Sequence, residues 1–157
     1  MPVSLEILQT SPFTTEDTGD LIKIYNADTA LISTAVADVG KHSEQPIEQL
    51  QNLAGRDDWV IAAGRFNARL LCAMPIQQSD DTLHGHALCV REITRRRGVA
   101  TQFIKLLQQY AMETDRQLKL YASDDRIATN LLEPLGFTKP GATMDAGSSI
   151  YLWANSH

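Results

Sequence analysis

Between Val90 and Ala100 the chain reads V-R-E-I-T-R-R-R-G-V-A. Leu88, Cys89 and Val90 end an apolar run expected to be a buried strand, and Val99, Phe103, Leu106, Leu107 and Tyr110 then recur at helical spacing. The turn between them therefore opens a helix, where the first backbone N–H groups have no intrahelical acceptor and the macrodipole adds partial positive charge. Such an end favours an anion. Gly98 and Ala100 keep the backbone bare enough for a ligand to touch it, and Arg95, Arg96 and Arg97 add forked donors suited to phosphate oxygens. A pyrophosphate fits this turn; a basic, solvated loop capping a helix is the plainer alternative.

The rest of the chain supplies strands and helices around that turn. Val3 to Leu8 reads as a first strand, and Thr14-Thr15-Glu16-Asp17 offers capping chemistry before the apolar set Leu21, Ile22, Ile24 and Tyr25. Asn26 to Lys41 has no clear period and is expected to be a further helical piece or an ordered loop. Ser43 to Gly55 predicts a short helix, with Pro46 in its first turn, Ile47, Leu50 and Leu53 on one face, and Gly55 at its end. Trp59 to Ala63 and Leu70 to Ile76 predict a hairpin across Gly64 to Arg69, where Asn67 tolerates a left-handed backbone. A third strand is expected from about Leu83 to Val90, a fourth over Leu118 to Ala122, a helix over roughly Arg126 to Glu133 closed by Gly136, and a last strand over Ser149 to Trp153.

A length of 157 residues suits a single domain spanning 1–157, with an extra helical region about 28–54. Net charge is -5 at pH 7, so the basic turn stands against an acidic whole, which argues against general nucleic-acid binding. Cys72 and Cys89 lie in apolar runs, with no C-x-x-C and no histidine at metal spacing. They read as buried thiols in a reducing compartment, and no metal is expected. The start M-P-V-S-L-E-I-L lacks the charged end and long apolar centre of a signal peptide, and no apolar run approaches a membrane span. The expected location is cytoplasmic.

The spacing R-x-x-G-x-A from Arg95 to Ala100, with Val90 five residues upstream, resembles the acetyl-CoA signature of the GCN5-related N-acetyltransferase (GNAT) superfamily. The element order and the L-G-F segment at Leu135 to Phe137 agree with it. The resemblance implies an α/β (α+β) GNAT fold: a mixed central sheet flanked by helices and splayed where the cofactor arm enters, between the strand ending at Val90 and the strand Leu118 to Ala122. It also implies acetyl-CoA or CoA as cofactor. The residues implied to hold it are Leu88, Cys89 and Val90 along the pantetheine arm, and Thr94, Arg95, Arg96, Arg97, Gly98, Val99, Ala100 and Thr101 around the pyrophosphate.

Acetyl transfer to an amine needs a base for the amine proton and an acid for the leaving thiolate. Many superfamily members place a tyrosine acid four residues before the Gly-Phe pair; here that position is Leu132, which has no proton to give. The asparagine many members carry near the start of that helix corresponds to Asp125. Glu92 reads either as a loop carboxylate paired with neighbouring arginines or, in an active enzyme, as the base. His84 and His86, two residues apart on one strand face, read as groove-lining rather than catalytic, and Tyr121 and Tyr151 as strand tyrosines that pack. No acid–base pair is assigned.

Two segments taken together, R-F-N-A-R-L-L at Arg65 to Leu71 and L-C-V-R-E-I-T-R-R-R-G-V-A at Leu88 to Ala100, resemble the aspartate 1-decarboxylase maturation factors, called PanZ or PanM. Those GNAT-fold proteins bind acetyl-CoA and attach to the decarboxylase proenzyme. They promote the Gly-Ser self-cleavage that makes its pyruvoyl group, and couple β-alanine, pantothenate and CoA synthesis to acetyl-CoA. The resemblance implies partner contacts by Arg65 and Asn67, with Arg91 a further candidate; a structural turn is the alternative for the first two. The competing function is an active N-acetyltransferase for a small amine or a protein N-terminus.

Overall fold

The computed structural model describes residues 2–9, 13–26, 28–32, 36, 45–91, 98–122, 128–139, 144–145 and 148–154. In chain order it contains β1 (Ser4–Leu8), α1 (Thr15–Tyr25), α2 (Pro46–Ala54), β2 (Trp59–Phe66), β3 (Arg69–Gln78), β4 (Thr82–Gly85), β5 (Cys89–Val90), α3 (Val99–Glu113), β6 (Gln117–Ala122), β7 (Met144–Asp145) and β8 (Ser148–Trp153). A π-helical turn, Ala128–Leu132, and a 3₁₀ turn, Glu133–Leu135, follow β6. The strands form one mixed sheet in the order β1-β2-β3-β4-β6-β8-β7, with β5 added to β3. The β4–β6 pair is parallel, and the others are antiparallel.

Alternation along the strands builds two cores, one on each face. On β2, Val60 and Ala62 face the layer of α3, while Trp59, Ile61 and Ala63 face that of α1 and α2. From α3, Val99, Phe103, Ile104, Leu107 and Ala111 are buried. Leu106 and Tyr110, expected on that face, are only half-buried because the helix rolls toward Ile104 and Ala111. On the opposite layer α1 buries Leu21, Ile24 and Tyr25, leaving Ile22 exposed, and α2 buries Leu50 and Leu53. Full burial of each large side chain is worth about 1.5–3 kcal/mol. The Thr14 side chain accepts from the Asp17 N–H at 3.1 Å, which caps α1 where the sequence placed capping residues.

Two expected elements take a different form. The hairpin strands extend to Phe66 and Arg69, so its turn is only Asn67-Ala68. Both residues have positive φ, 49° and 67°, the two-residue turn whose twist matches the strands. The strand expected from Leu83 to Val90 is broken into β4 and β5. Opposite Met74 and Pro75 on β3, the second strand runs through His86, Ala87 and Leu88, one residue more, and Ala87 has φ 54°. This bulge falls beside Pro75, whose carbonyl accepts from the His86 N–H at 3.0 Å. A proline has no donor for a sheet ladder, so within a central strand it belongs at a bulge. The start of the helix expected from Arg126 lies outside the described residues; its end is the π turn, closed by Gly136 at φ 93°. The β7 strand has no counterpart in the sequence reading.

Candidate functional site

The bulge forks the sheet. β4 stays hydrogen-bonded to β6 through Gly85, opposite Leu120, whereas β5 pairs with β3 and with no other described strand. The Arg91 N–H donates to the Leu71 carbonyl at 2.7 Å, and antiparallel ladders alternate. The backbone groups of Cys89 and Arg91 therefore face β3, and those of Leu88 and Val90 face the side from which β6 has departed. The sheet is thereby split between β5 and β6, with the backbone groups of Leu88 and Val90 along the β5 side of the split and those of Cys89 taken up by β3.

The N-terminus of α3 supplies a second set of donors. Gly98 caps it at φ 76°, with no side-chain hydrogen bond at the cap and no acidic residue in the first turn. The first intrahelical bond there is made by Gln102, whose N–H donates to the Gly98 carbonyl at 3.1 Å. The amides of Val99, Ala100 and Thr101 are left without an intrahelical acceptor, and Gly98 is exposed. A side-chain oxygen usually fills that place; among the described residues none does, and the donors and the helix dipole there favour an anion. Thr94, Arg95, Arg96 and Arg97, the rest of the expected phosphate turn, lie outside the described residues.

Rings gather at the apex of the fork, on the α1–α2 face. His86 stacks on Tyr121 with centroids 4.2 Å apart and planes at 15°. His84 lies 6.4 Å from Tyr121, and Trp59 lies 5.6 Å from His86. Burial holds the His84 imidazole below its ordinary pKa, Lys119 pushes the same way, and Asp81 opposes both. His84 thus favours the neutral form. Tyr151, by contrast, packs in the α3-side core, as does Leu132, which is 1% exposed. The position of the usual tyrosine acid is therefore filled with core leucine. Glu92 and Asp125 lie outside the described residues.

The fold commits Arg65 internally. Its guanidinium donates to Glu6 Oε1 at 2.9 Å, to both Asp17 carboxylate oxygens at 3.2 Å and to the Ala68 carbonyl at 3.1 Å. Those bonds use four of five N–H donors and hold the left-handed Ala68 in place. The bonds to Asp17 and to Glu6 together raise the Arg65 pKa against the effect of burial. One turn further along α1, the buried Asp20 carboxylate accepts from Arg69 Nε and Nη2 and from the Leu70 N–H. Burial pushes the Asp20 pKa up, but those bonds outweigh it and hold it below 3.8. Two aspartates on α1 thus clamp the hairpin base, leaving Asn67 exposed at the tip. Sequence reasoning missed this clamp and also Tyr25, whose buried hydroxyl lies 3.1 Å from the Ala73 carbonyl and 2.9 Å from the Ala87 carbonyl. The only sequence trace of it is a polar-tipped residue on the apolar face of α1.

Among the described residues no group of His, Cys, Asp and Glu is placed to hold a metal ion, and no helix is long and apolar enough to cross a membrane. Cys72 and Cys89 are buried and not joined in a disulfide. Burial pushes the Cys72 thiol up to about 12.

The fold is shared with known GNAT structures. Tetrahymena GCN5 matches with a TM-score of 0.64 and 18% identity over 95% of this chain and 94% of its own. The Escherichia coli putative N-acetyl transferase YhhK, solved bound to coenzyme A, matches with 0.63 and 24% identity over 98% and 99%. An aminoglycoside 6'-N-acetyltransferase complexed with coenzyme A matches with 0.61 and 13% identity over 94% of each chain. No curated protein matches the sequence. Residues 4–139, most of the chain, match the family described as acetyltransferase (GNAT) domain, PanZ. The chain therefore belongs to the PanZ family of GNAT domains.

Proposed function

We propose that this protein binds acetyl-CoA in the split between β5 and β6 and, so loaded, promotes Gly-Ser self-cleavage of the aspartate 1-decarboxylase proenzyme. It would thereby couple β-alanine, pantothenate and CoA synthesis to acetyl-CoA. The observation that carries the reading is the pairing of the strand edge at Leu88 to Val90 that is turned away from β3 with the N-terminus of α3 at Gly98 to Thr101, where the cap residue makes no side-chain hydrogen bond. That edge offers backbone donors and acceptors to a pantetheine arm and to the thioester at its end, and the helix end offers N–H groups to a pyrophosphate. Arg95, Arg96 and Arg97 supply charge to the same phosphates. Membership of the PanZ family and the coenzyme A bound by YhhK support this cofactor.

A regulatory rather than catalytic role is favoured by Leu132, a core side chain where an acid would be needed. The partner surface includes the exposed Asn67 amide at the hairpin tip. Arg65 contributes through its remaining donor and by holding the turn, and Arg91 lies at the end of β5 beside the split. The protein is proposed to act in the cytoplasm as one domain, with 28–54 as the segment that adapts the partner surface.

The test mixes the protein with the unprocessed decarboxylase of the same organism, with and without acetyl-CoA, and follows chain cleavage on a denaturing gel. Acceleration only when both are present supports the role, and no complex with no acceleration refutes it. The second reading, an active N-acetyltransferase, is favoured by the His84–His86–Tyr121 row at the apex, which offers proton-carrying groups near the end of the split. Thiol release from acetyl-CoA with an amine panel, lost in His84→Ala or in Glu92→Gln, would favour it instead.

A further inference from the structure

We propose that Tyr25 is a positioning residue for the acyl end of the cofactor. Its hydroxyl sets the direction of the Ala87–Leu88 peptide, turning the Leu88 N–H into the split, where it distinguishes acetyl-CoA from CoA. The inference rests on the acetyl-CoA reading above and adds to it a residue of α1, 62 positions from the peptide it controls.

Tyr25 is fully buried and its hydroxyl approaches two carbonyl oxygens, those of Ala73 and Ala87. A phenol has one proton to donate, so the two oxygens share it. Ala73 has another donor, because the ladder fixed by the Arg91–Leu71 bond directs the Cys89 N–H toward it. For Ala87, the phenol is the hydrogen-bond donor that the described residues provide. A buried carbonyl without a donor is costly, and an alanine at φ 54° is strained, so this backbone persists where its surroundings fix it. Burial pushes the Tyr25 pKa well up, and neighbouring Cys89 and Cys72 act in the same direction, which keeps the phenol a donor.

The consequence lies at the other end of the same peptide. In a planar trans unit the C=O and N–H point in opposite directions. With the Ala87 oxygen held toward α1, the Leu88 N–H points away from α1. The Cys89 N–H faces β3, and the alternation carried one residue back from that pair turns the Leu88 N–H away from β3, toward the gap left by β6. A thioester carbonyl oxygen accepts a hydrogen bond from such a donor, whereas the thiol of CoA is only a weak acceptor. The N–H therefore rewards the acetyl group.

Calorimetric titrations of acetyl-CoA and CoA into wild type and Tyr25→Phe test this. Wild type should bind acetyl-CoA about tenfold more tightly than CoA, the equivalent of about 1.4 kcal/mol. Tyr25→Phe should lose that preference while its CoA affinity stays within about twofold, a change a merely structural role would not produce. In wild type alone, the Leu88 amide resonance should move with acetyl-CoA and much less with CoA, which keeps the test open if the variant folds poorly. Equal weakening toward both ligands, an unchanged preference in the variant, or no preference in wild type would overturn the role of Tyr25 while leaving the cofactor assignment standing. Failure of wild type to bind either ligand would overturn the cofactor assignment itself.

Discussion

Replacing Gly98 separates the backbone it adopts from the space above it. The residue caps α3 at φ 76°, and a Cβ built there meets nothing within 4 Å. A side chain at this position clashes with no described part of the chain, so its stability cost comes from the backbone alone. For Gly98→Ala the left-handed conformation costs about 1–2 kcal/mol, offset in part by the lower entropy of the unfolded chain. A net loss of about 1 kcal/mol corresponds to a fall in Tm of about 2–4 °C for a chain of this size. Asparagine visits the same region more readily, so Gly98→Asn should lose less than about 0.5 kcal/mol. Both variants, however, put atoms where a pyrophosphate would approach the amides of Val99, Ala100 and Thr101. Thermal melts and calorimetric titration with CoA separate the two effects. Both variants should bind CoA at least about tenfold more weakly, a loss of about 1.4 kcal/mol, and the asparagine variant should do so with its stability nearly intact. An asparagine variant that is stable and binds CoA as wild type does would refute the placement of phosphate at this turn.

The hairpin allows a similar separation: Asn67→Gly keeps the left-handed turn but removes the amide, so melts should stay within about 0.5 kcal/mol of wild type while pull-down of the decarboxylase proenzyme is lost. Retained pull-down would leave Asn67 a turn residue only. For Asp20→Asn, urea unfolding at pH 7 should show a loss of about 1–2 kcal/mol, a range that allows for the solvent around the half-exposed Arg69 side chain. The Asp20 pKa is held below 3.8, so its contribution is complete above that value and disappears as pH falls through the lower folded value. Wild type should therefore lose its advantage over the variant on acidification, and an advantage that grows as pH falls would contradict the clamp. Neither Cys72 nor Cys89 should react with a thiol reagent at pH 8 until urea unfolds the chain, since both are buried and the Cys72 thiol titrates near 12. Rapid labelling of Cys72 in the folded protein would show that this core opens.

The parts of the site legible in the sequence are those fixed by local patterning. Helical recurrence from Val99 located α3, Gly98 marked its start, and Asn67 marked the reversal between two apolar runs. What local patterning cannot carry is a backbone imposed from a distance. Ala87 has no intrinsic reason to take a positive φ, and the donor that fixes its carbonyl sits on α1. Pro75 was the readable sign, because a proline in a central strand requires a bulge. Arg65 shows the same limit. Beside a turn it reads as a solvated guanidinium, and only the approach of β1 and α1 brings Glu6 and Asp17 to it.

The most direct measurement is an amide-resolved NMR titration of the isotopically labelled protein with acetyl-CoA. Binding in the split between β5 and β6 predicts that the amides of Leu88, Val90 and Gly98 to Thr101 move together with a single dissociation constant, while those of α2, Pro46–Ala54, stay in place. Saturable binding that leaves Leu88, Val90 and the first turn of α3 unmoved, or no binding at all, would contradict the account.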